Sequence, residues 1–275
     1  MSDQPRYAAL AAPMVVILGL VYLLPLVSVL LISFTEPEPG LGNYALIFES
    51  PAVLKVAMTT LWVCGFTTVL SVVIGYILAY AFVSSSSIAR KLMMLFVLVP
   101  LWTSVLIRTF AWLMILGDNG PVNDILQSTG LTDRPIAMMH NDLGVVIGMT
   151  HYMTPYAMLT ILAGMSGIDE RLVMAARGLG ASPVATFLKV YFPLTLPGVF
   201  AGTVLVLVLS LGFYVTPIIL GGGRVVMIGE YISTQILLIS RWGVGSMLAT
   251  LLMVVVLAAI AATARAIDLR RIFPV

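Results

Sequence analysis

The sequence predicts an all-α integral membrane protein with six transmembrane helices. Of its 275 residues, 60% are hydrophobic and only 9% are charged, whereas soluble domains carry about 25% charged residues. Apolar runs of about 20 residues, long enough to cross a bilayer as helices, occur six times. Lipid cannot satisfy backbone polar groups, and the runs lack the ten-residue alternation of barrel strands, so helices are expected.

The six apolar runs define the predicted spans of a single membrane domain covering residues 1–275. The first run is too long for a signal-peptide core and no clear small-residue cleavage site follows it, so we expect a retained membrane anchor. No outer loop is long enough for a soluble domain, so any receptor for an external solute would be another chain. The predicted spans are 8–34, 56–83, 92–117, 143–165, 198–220 and 243–268.

The distribution of basic residues favours cytoplasmic N- and C-termini. In that orientation nine Lys and Arg residues fall in inner segments and four in outer loops, as the positive-inside rule requires. The loop 166–197, between the fourth and fifth spans, is then cytoplasmic. The nine inner cations are Arg6, Arg90, Lys91, Arg171, Arg177, Lys189, Arg265, Arg270 and Arg271, against Lys55, Arg134, Arg224 and Arg241 outside.

Composition and motifs argue against several functions. The net charge of +2 is too small to indicate nucleic acid, and one cysteine, Cys64, excludes an intrachain disulfide and a cysteine-based metal site. With two histidines and no paired-carboxylate or Ser-His-Asp pattern, we expect neither a metal site nor catalytic residues. The glycine-rich stretch 221–224 lacks the Lys-Ser/Thr of a phosphate loop, so this chain is not expected to bind ATP. The spans lack Asp and Glu for a proton relay, so a partner must supply the energy.

The outer loops carry turn signals. The sequence Asp118-Asn119-Gly120-Pro121 is typical of a turn. Residues 123–127 are expected to form a short helix on the membrane surface.

The inner loop 166–197 predicts a helix–turn–helix. Apolar residues recur there at three- and four-residue steps from Ile168 to Leu179, which is typical of one helix face. Gly178 and Gly180 allow that helix to end. Ser182 can cap the next helix, and Pro183 suits its first position.

The same loop carries a recognisable spacing. Ala175-Ala176, then Gly180, Val190 and Phe192-Pro193, match the consensus E-A-A-x3-G-x9-I-x-L-P at most positions. The stretch resembles the cytoplasmic coupling loop of bacterial ABC importer permeases, which docks into a groove of the ATP-hydrolysing subunit. The alternative from periodicity alone is an amphipathic helix that merely lies on lipid; the combined spacing favours the coupling loop.

The resemblance implies a set of residues that contact the ATPase. Met174 stands where the consensus has Glu, so the family's charged contact is missing or is supplied by Glu170 one turn earlier. The implied coupling residues are Glu170, Met174, Ala175, Ala176, Gly180, Ala181 and Pro193.

Polar and aromatic residues in the third to fifth spans are candidates for a translocation path. Arg108 is the clear ionisable residue within a span, and such charges usually face the bundle interior or water. It could bind a substrate anion with Trp112 stacked on it, or form a structural ion pair with Asp118. The aromatic candidates could equally pack helices or form an interfacial belt. The candidates are Arg108, Trp112, Tyr152, Tyr156, Ser210, Phe213 and Tyr214, with Ser210, Phe213, Tyr214 and Pro217 spaced to share one face.

Longer phrases extend the resemblance over nearly the whole chain. Residues 100–104, 108–112 and 119–123 are similar to the third span region of spermidine/putrescine-type permeases, and 212–222 to the fifth. This resemblance implies a type I ABC importer permease in the bacterial inner membrane, paired with a second permease. Two ATPase subunits would carry ATP and Mg, with no cofactor on this chain, and a periplasmic binding protein would deliver the substrate.

The substrate and the class of transporter are left with alternatives. A polyamine is the expected substrate, but permeases for opines and aminophosphonates share these phrases. An autonomous channel or ion-coupled transporter would instead produce flux with this chain alone. A non-transporting membrane scaffold would affect assembly without affecting solute uptake.

Overall fold

The computed structural model describes the backbone of residues 4–266 and the side chains of residues 13–263 and 265. The described chain is helical, with two π-helical segments at Phe187–Tyr191 and Thr234–Leu238. The helices are α1 (Gln4–Thr35), α2 (Gly42–Glu49), α3 (Pro51–Ser84), α4 (Ser87–Trp102), α5 (Val105–Leu116), α6 (Pro121–Ser128), α7 (Asp142–Met165), α8 (Glu170–Gly178), α9 (Pro183–Thr186), α10 (Phe192–Leu211), α11 (Val215–Gly221), α12 (Ile228–Ser233) and α13 (Trp242–Ala266).

Five helical stretches are long and apolar enough to cross a membrane, one of them running from Pro183 through the π-helical segment to Leu211, and there are six if one bent pair counts as a span. The stretches Ser87–Trp102 and Val105–Ser128 lie at 104° to each other. The predicted third span, 92–117, is therefore two helices rather than one. Thr103 and Ser104 both have extended backbone ψ angles at the break, and Pro100 just before it weakens the end of α4.

The predicted fifth span is also divided. Helix α10 begins at Phe192, ends at Leu211, and is followed by the short α11. Residues 212–214, which belong to neither helix, separate the two. The last predicted span, 243–268, corresponds to α13 as far as Ala266; residues 267 and 268, and the predicted inner cations Arg270 and Arg271, lie outside the described residues.

The described chain divides into two compact units. The smaller unit comprises residues 4–55 and 231–255. Within it, Phe34 stacks on Tyr44 with ring centroids 4.9 Å apart, and the Asn43 amide donates to the carbonyl oxygens of Ser33 and Glu36 at 3.0 and 2.7 Å. The apolar part of α1 is 0% buried, so it must face lipid or another chain.

The larger unit comprises residues 56–230 and 256–266, with α7 at its centre. Of the most apolar stretch of α7, 67% is buried, because α5, α10 and α11 all pack on this helix. Its core is rich in the flexible side chain of methionine, which fills irregular gaps between helices. The fully enclosed core side chains include Met149, Met153, Met158, Ile161 and Val206.

Candidate functional site

The inner-loop helices form a short structure that we call the elbow, residues 169–186. Asp169 caps α8 by accepting a hydrogen bond from the Arg171 N–H at 2.9 Å. Gly180 has φ +85°, a conformation that favours glycine. Ser182 then caps α9 by accepting from the Ala185 N–H at 3.2 Å, with Pro183 at its first position. The predicted helix–turn–helix, the Ser182 cap and the position of Pro183 are confirmed, whereas the Asp169 cap was not predicted.

The elbow exposes apolar surface. None of the residues of α8 is buried, and Met174 and Leu179 are 61% and 89% exposed. A knob of this kind, with small side chains at Ala175 and Ala176, can be approached closely by another chain. The predicted coupling residues Glu170, Ala175, Gly180 and Pro193 are exposed, and Ala176 and Ala181 are half-buried.

A cavity of about 570 Å³ lies between the elbow and the end of α3. Glu170, Met174 and Arg177 line it from the α8 side, so two of the predicted coupling residues face this cavity as well as solvent. Aromatic rings line the opposite side, at the cytoplasmic end predicted for α3.

The aromatic wall of this cavity was not predicted from the sequence. The π-helical segment that follows α9 brings Phe187 and Tyr191 to one side, with ring centroids 6.0 Å apart. Tyr80 of α3 meets both rings edge-on, at 5.3 and 5.6 Å. The spacing of Phe187 and Tyr191, four residues apart, was the available signal. The contact of Tyr80 with these two rings ties the segment after the elbow to α3.

Close backbone packing ties the elbow to the centre of the larger unit. The elbow is bounded by α7 before it and α10 after it. A Cβ atom on Gly164 of α7 would lie 2.9 Å from the Cα atom of Gly198 of α10. A Cβ atom on Gly202 would lie 3.2 Å from the Ile161 side chain. The two helices that carry the elbow are therefore in direct backbone contact.

Arg108 holds the break between α4 and α5. Its Nη2 donates to the carbonyl oxygen of Pro100 and, at 3.0 Å, to that of Thr103. These carbonyls belong to the end of α4, where intrahelical donors are missing. The partners of Arg108 are thus backbone oxygens rather than Asp118, which is exposed, so the ion pair considered as an alternative is not formed.

The guanidinium of Arg108 also lies over the ring of Tyr152, 4.7 Å from its centroid. The predicted stacking on Trp112 is wrong, because Trp112 turns toward α7. There its indole N–H donates to Nδ1 of His151 at 3.1 Å. Arg108 and Trp112 therefore contact α7 through two neighbouring residues, Tyr152 and His151.

Three aromatic rings from α7 and the α10–α11 break form what we call the path cluster, Tyr152, Tyr156 and Phe213. The centroid of Tyr152 lies 4.6 Å from that of Phe213 and 5.8 Å from that of Tyr156. Four of the predicted path residues are therefore brought together: Arg108, Tyr152, Tyr156 and Phe213. Trp112 lies against His151 and is not part of the path cluster.

The remaining path candidates lie at the break after α10. Ser210 is fully buried and its hydroxyl has no hydrogen-bond partner among the described residues, whereas Tyr214 is 44% exposed. The prediction that Ser210, Phe213, Tyr214 and Pro217 share one helix face is wrong, because the helix ends at Leu211 and restarts at Val215.

Comparison with known proteins finds relatives among membrane components of binding-protein-dependent transport systems. Residues 71–273 match the family described as "Binding-protein-dependent transport system inner membrane component". The chain is 31% identical to the spermidine/putrescine transport system permease protein PotB of Haemophilus influenzae, over 82% of this chain and 81% of that protein. It is also 31% identical to PotB of Escherichia coli K12, over 78% of each chain.

Solved structures share the fold. The chain superposes with a TM-score of 0.75 on a chain of a bacterial alginate ABC transporter, crystallised in complex with an alginate pentasaccharide-bound periplasmic protein. The match covers 96% of this chain and 93% of that one at 19% identity. At this identity the likeness shows the fold alone.

Proposed function

Because the chain belongs to the family of binding-protein-dependent transport system inner membrane components, we propose that it forms half of the path by which an ATP-driven importer takes up a polyamine. The observation that carries the proposal is the similarity to spermidine/putrescine permeases, which extends over about four fifths of the chain. The elbow and the path cluster are where the two parts of the activity, coupling and passage, would take place.

The path cluster suits a cationic solute. Aromatic ring faces attract ammonium and guanidinium groups, and the Tyr152 ring already carries the guanidinium of Arg108 at 4.7 Å. Like charges repel, so a polyamine would pass along Tyr156, Phe213 and Tyr214 rather than touch Arg108. Arg108 then acts as a positioning residue that holds the α4–α5 break against α7.

The assembly follows from the family. A second permease would complete the path, two ATPase subunits would hold ATP and Mg beneath the membrane, and a periplasmic binding protein would deliver the solute. The excess of basic residues in the segments on the elbow's side supports cytoplasmic termini and a cytoplasmic elbow. The elbow would then lie where the ATPase binds.

The coupling mechanism is mechanical. Closure of the ATPase dimer would displace the elbow, whose short helices and capped turn move as one body. Since α7 and α10 are in backbone contact at Gly164 and Gly198, the displacement would pass to α7, which carries Tyr152 and Tyr156, and to α10, which ends just before Phe213. The path would thereby open toward the periplasm and receive the solute.

An anionic solute with an amine is the second candidate. Nε and Nη1 of Arg108 are buried and have no hydrogen-bond partner among the described residues, and unsatisfied buried donors favour an oxyanion. An opine or an aminophosphonate carries both an acidic group and an amine, and it would be imported by the same mechanism.

Uptake into proteoliposomes tests the proposal. The complete complex is reconstituted with ATP inside the vesicles and the binding protein outside, and uptake of labelled spermidine, putrescine and 2-aminoethylphosphonate is compared. We expect polyamine uptake that requires both ATP and the binding protein. Uptake of 2-aminoethylphosphonate alone favours the second candidate, and flux through vesicles that contain only this chain contradicts both.

A further inference from the structure

Glu230 differs from every other carboxylate in the part of the chain that the structure describes. The other nine are exposed to solvent, whereas Glu230 is half-buried. Burial of a carboxylate is unfavourable unless a partner compensates for the lost water. The nine exposed carboxylates are Glu36, Glu38, Glu49, Asp118, Asp124, Asp133, Asp142, Asp169 and Glu170.

The compensating partner is missing. Oε2 of Glu230 is enclosed and has no hydrogen-bond partner among the described residues. Burial raises the pKa of Glu230, as expected for a carboxylate held away from water. A nearby cation would reverse that shift and restore the ionised form. Among the described residues, no cation or donor therefore compensates for the burial of the Glu230 carboxylate.

Two contacts made by the residues just before Glu230 fix the start of α12 beside the path. The N–H of Ile228, two residues earlier, donates to Oγ1 of the buried Thr60 at 2.8 Å, which anchors the start of α12 to α3. A Cβ atom on Gly229 would lie 3.2 Å from the Cβ atom of Tyr214. Glu230 is thus held next to the α10–α11 break, where Phe213 of the path cluster and the half-exposed Tyr214 also lie.

The chemistry of this position is that of an amine-binding site. It combines a half-buried carboxylate whose enclosed oxygen has no partner among the described residues with a backbone neighbour, Gly229, that packs on Tyr214; carboxylates and aromatic rings both attract an ammonium group. Glu230 lies in the segment between α11 and α13, which the charge distribution places on the periplasmic side. A solute released from a periplasmic protein would meet it before the deeper rings Tyr152 and Tyr156.

We propose that Glu230 binds an ammonium group of the solute as it enters the path, an inference that rests on the proposed uptake of an aminated solute. The carboxylate supplies an attraction that the rings alone give only weakly, and it offsets the repulsion from Arg108. Its role is reception and selection for positive charge, distinct from the positioning role of Arg108.

The test uses the assembled complex with Glu230→Gln, which keeps the shape of the side chain and removes its charge. Two quantities are measured: the Kd of labelled solute for the complex in nanodiscs without the binding protein, and the solute imported per ATP hydrolysed in proteoliposomes. We expect Kd to rise about tenfold or more and the imported solute per ATP to fall about as much, as for loss of a charge-assisted contact.

Controls separate this role from a structural one. Asp124→Asn removes an exposed carboxylate from α6 and should leave both quantities unchanged. The rate of ATP hydrolysis stimulated by the binding protein should stay near wild type in both variants, since assembly and coupling do not use the Glu230 charge. Glu230→Asp should retain part of the affinity because it keeps the charge.

The outcomes distinguish the two proposals. The solute is whichever of spermidine, putrescine and 2-aminoethylphosphonate the wild-type complex takes up. If that solute is the aminophosphonate and Glu230→Gln weakens its binding and uptake, the role of Glu230 stands while the polyamine assignment falls. Unchanged Kd and transport in Glu230→Gln overturn the role of Glu230 and leave the proposed function intact. Uptake of none of the three overturns both.

Discussion

Gly164 and Gly198 bring the backbones of α7 and α10 into direct contact: a Cβ atom on Gly164 would lie 2.9 Å from the Cα atom of Gly198. These two helices flank the elbow in the chain, and both carry path residues or lead directly into them. The contact therefore links the two helices that connect the surface proposed to meet the ATPase with the proposed path.

We expect Gly164→Ala to separate α7 from α10, because the new methyl group meets backbone rather than a side chain that could move. Overpacking of this kind costs about 1–3 kcal/mol of stability. The unfolding temperature of the purified complex should fall, and uptake should fall further than ATP hydrolysis. Gly65→Ala in α3 is the matched control, since a Cβ atom there meets nothing within 4 Å; equal effects of the two substitutions would contradict the account.

Arg108→Lys should behave as a loss of structure rather than a conservative change. A lysine ammonium does not reproduce the planar fork that reaches the carbonyl oxygens of Pro100 and Thr103 while lying on Tyr152. Losing these hydrogen bonds from the buried guanidinium should cost about 1–3 kcal/mol of stability, measured by thermal unfolding of the complex. Arg134→Lys, at an exposed position, should have no effect, and wild-type stability in Arg108→Lys would rule out the positioning role.

The contact between Trp112 and His151 should contribute to stability but not to transport. Trp112→Phe keeps an aromatic ring and removes the donor of the 3.1 Å hydrogen bond to Nδ1 of His151. We expect a loss of about 0.5–1.5 kcal/mol with uptake close to wild type. A double-mutant cycle with His151→Phe isolates the pair; additive losses would show that the two side chains do not interact.

Bulk on the elbow should uncouple the importer without unfolding it. Ala175 is exposed, so Ala175→Phe should leave the permease folded and hinder the approach of the ATPase. Membrane expression should be normal, while uptake and ATPase stimulation by the binding protein should both fall about tenfold or more, the loss expected from about 1.4 kcal/mol of weakened docking. Ile88→Phe adds similar bulk at an exposed position of α4 and should be tolerated; full activity in Ala175→Phe would argue against docking at this face.

Helix caps, turns and helical segments could be predicted from the sequence, because they depend on short-range interactions. The cap at Ser182 and the turn at Gly180 depend on neighbours a few residues away, and both form as those rules require. The apolar runs likewise predict helices, because lipid leaves the backbone no other solution.

Features that depend on distant contacts were not readable in this way. Both helix breaks lie inside longer apolar runs, 92–117 and 198–220, so neither was predicted, although Pro100 and Gly212 were signals. The ring that receives the Arg108 guanidinium is on α7 rather than one turn along its own helix. In the sequence Glu230 is an ordinary loop acid, and only its partial burial and the unpartnered Oε2 set it apart in the structure.

Cross-linking of the elbow tests the central claim most directly. Cys64 is the chain's one cysteine and is buried, so a Cys64→Ala background admits a single reporter at Ala175→Cys or, for comparison, at Gln127→Cys in α6. We predict that Ala175→Cys cross-links to the ATPase subunit in native membranes and is shielded from membrane-impermeant maleimide added outside cells, while Gln127→Cys is labelled from outside and does not cross-link. Labelling of Ala175→Cys from outside, or its failure to cross-link in a complex that transports, would contradict the account.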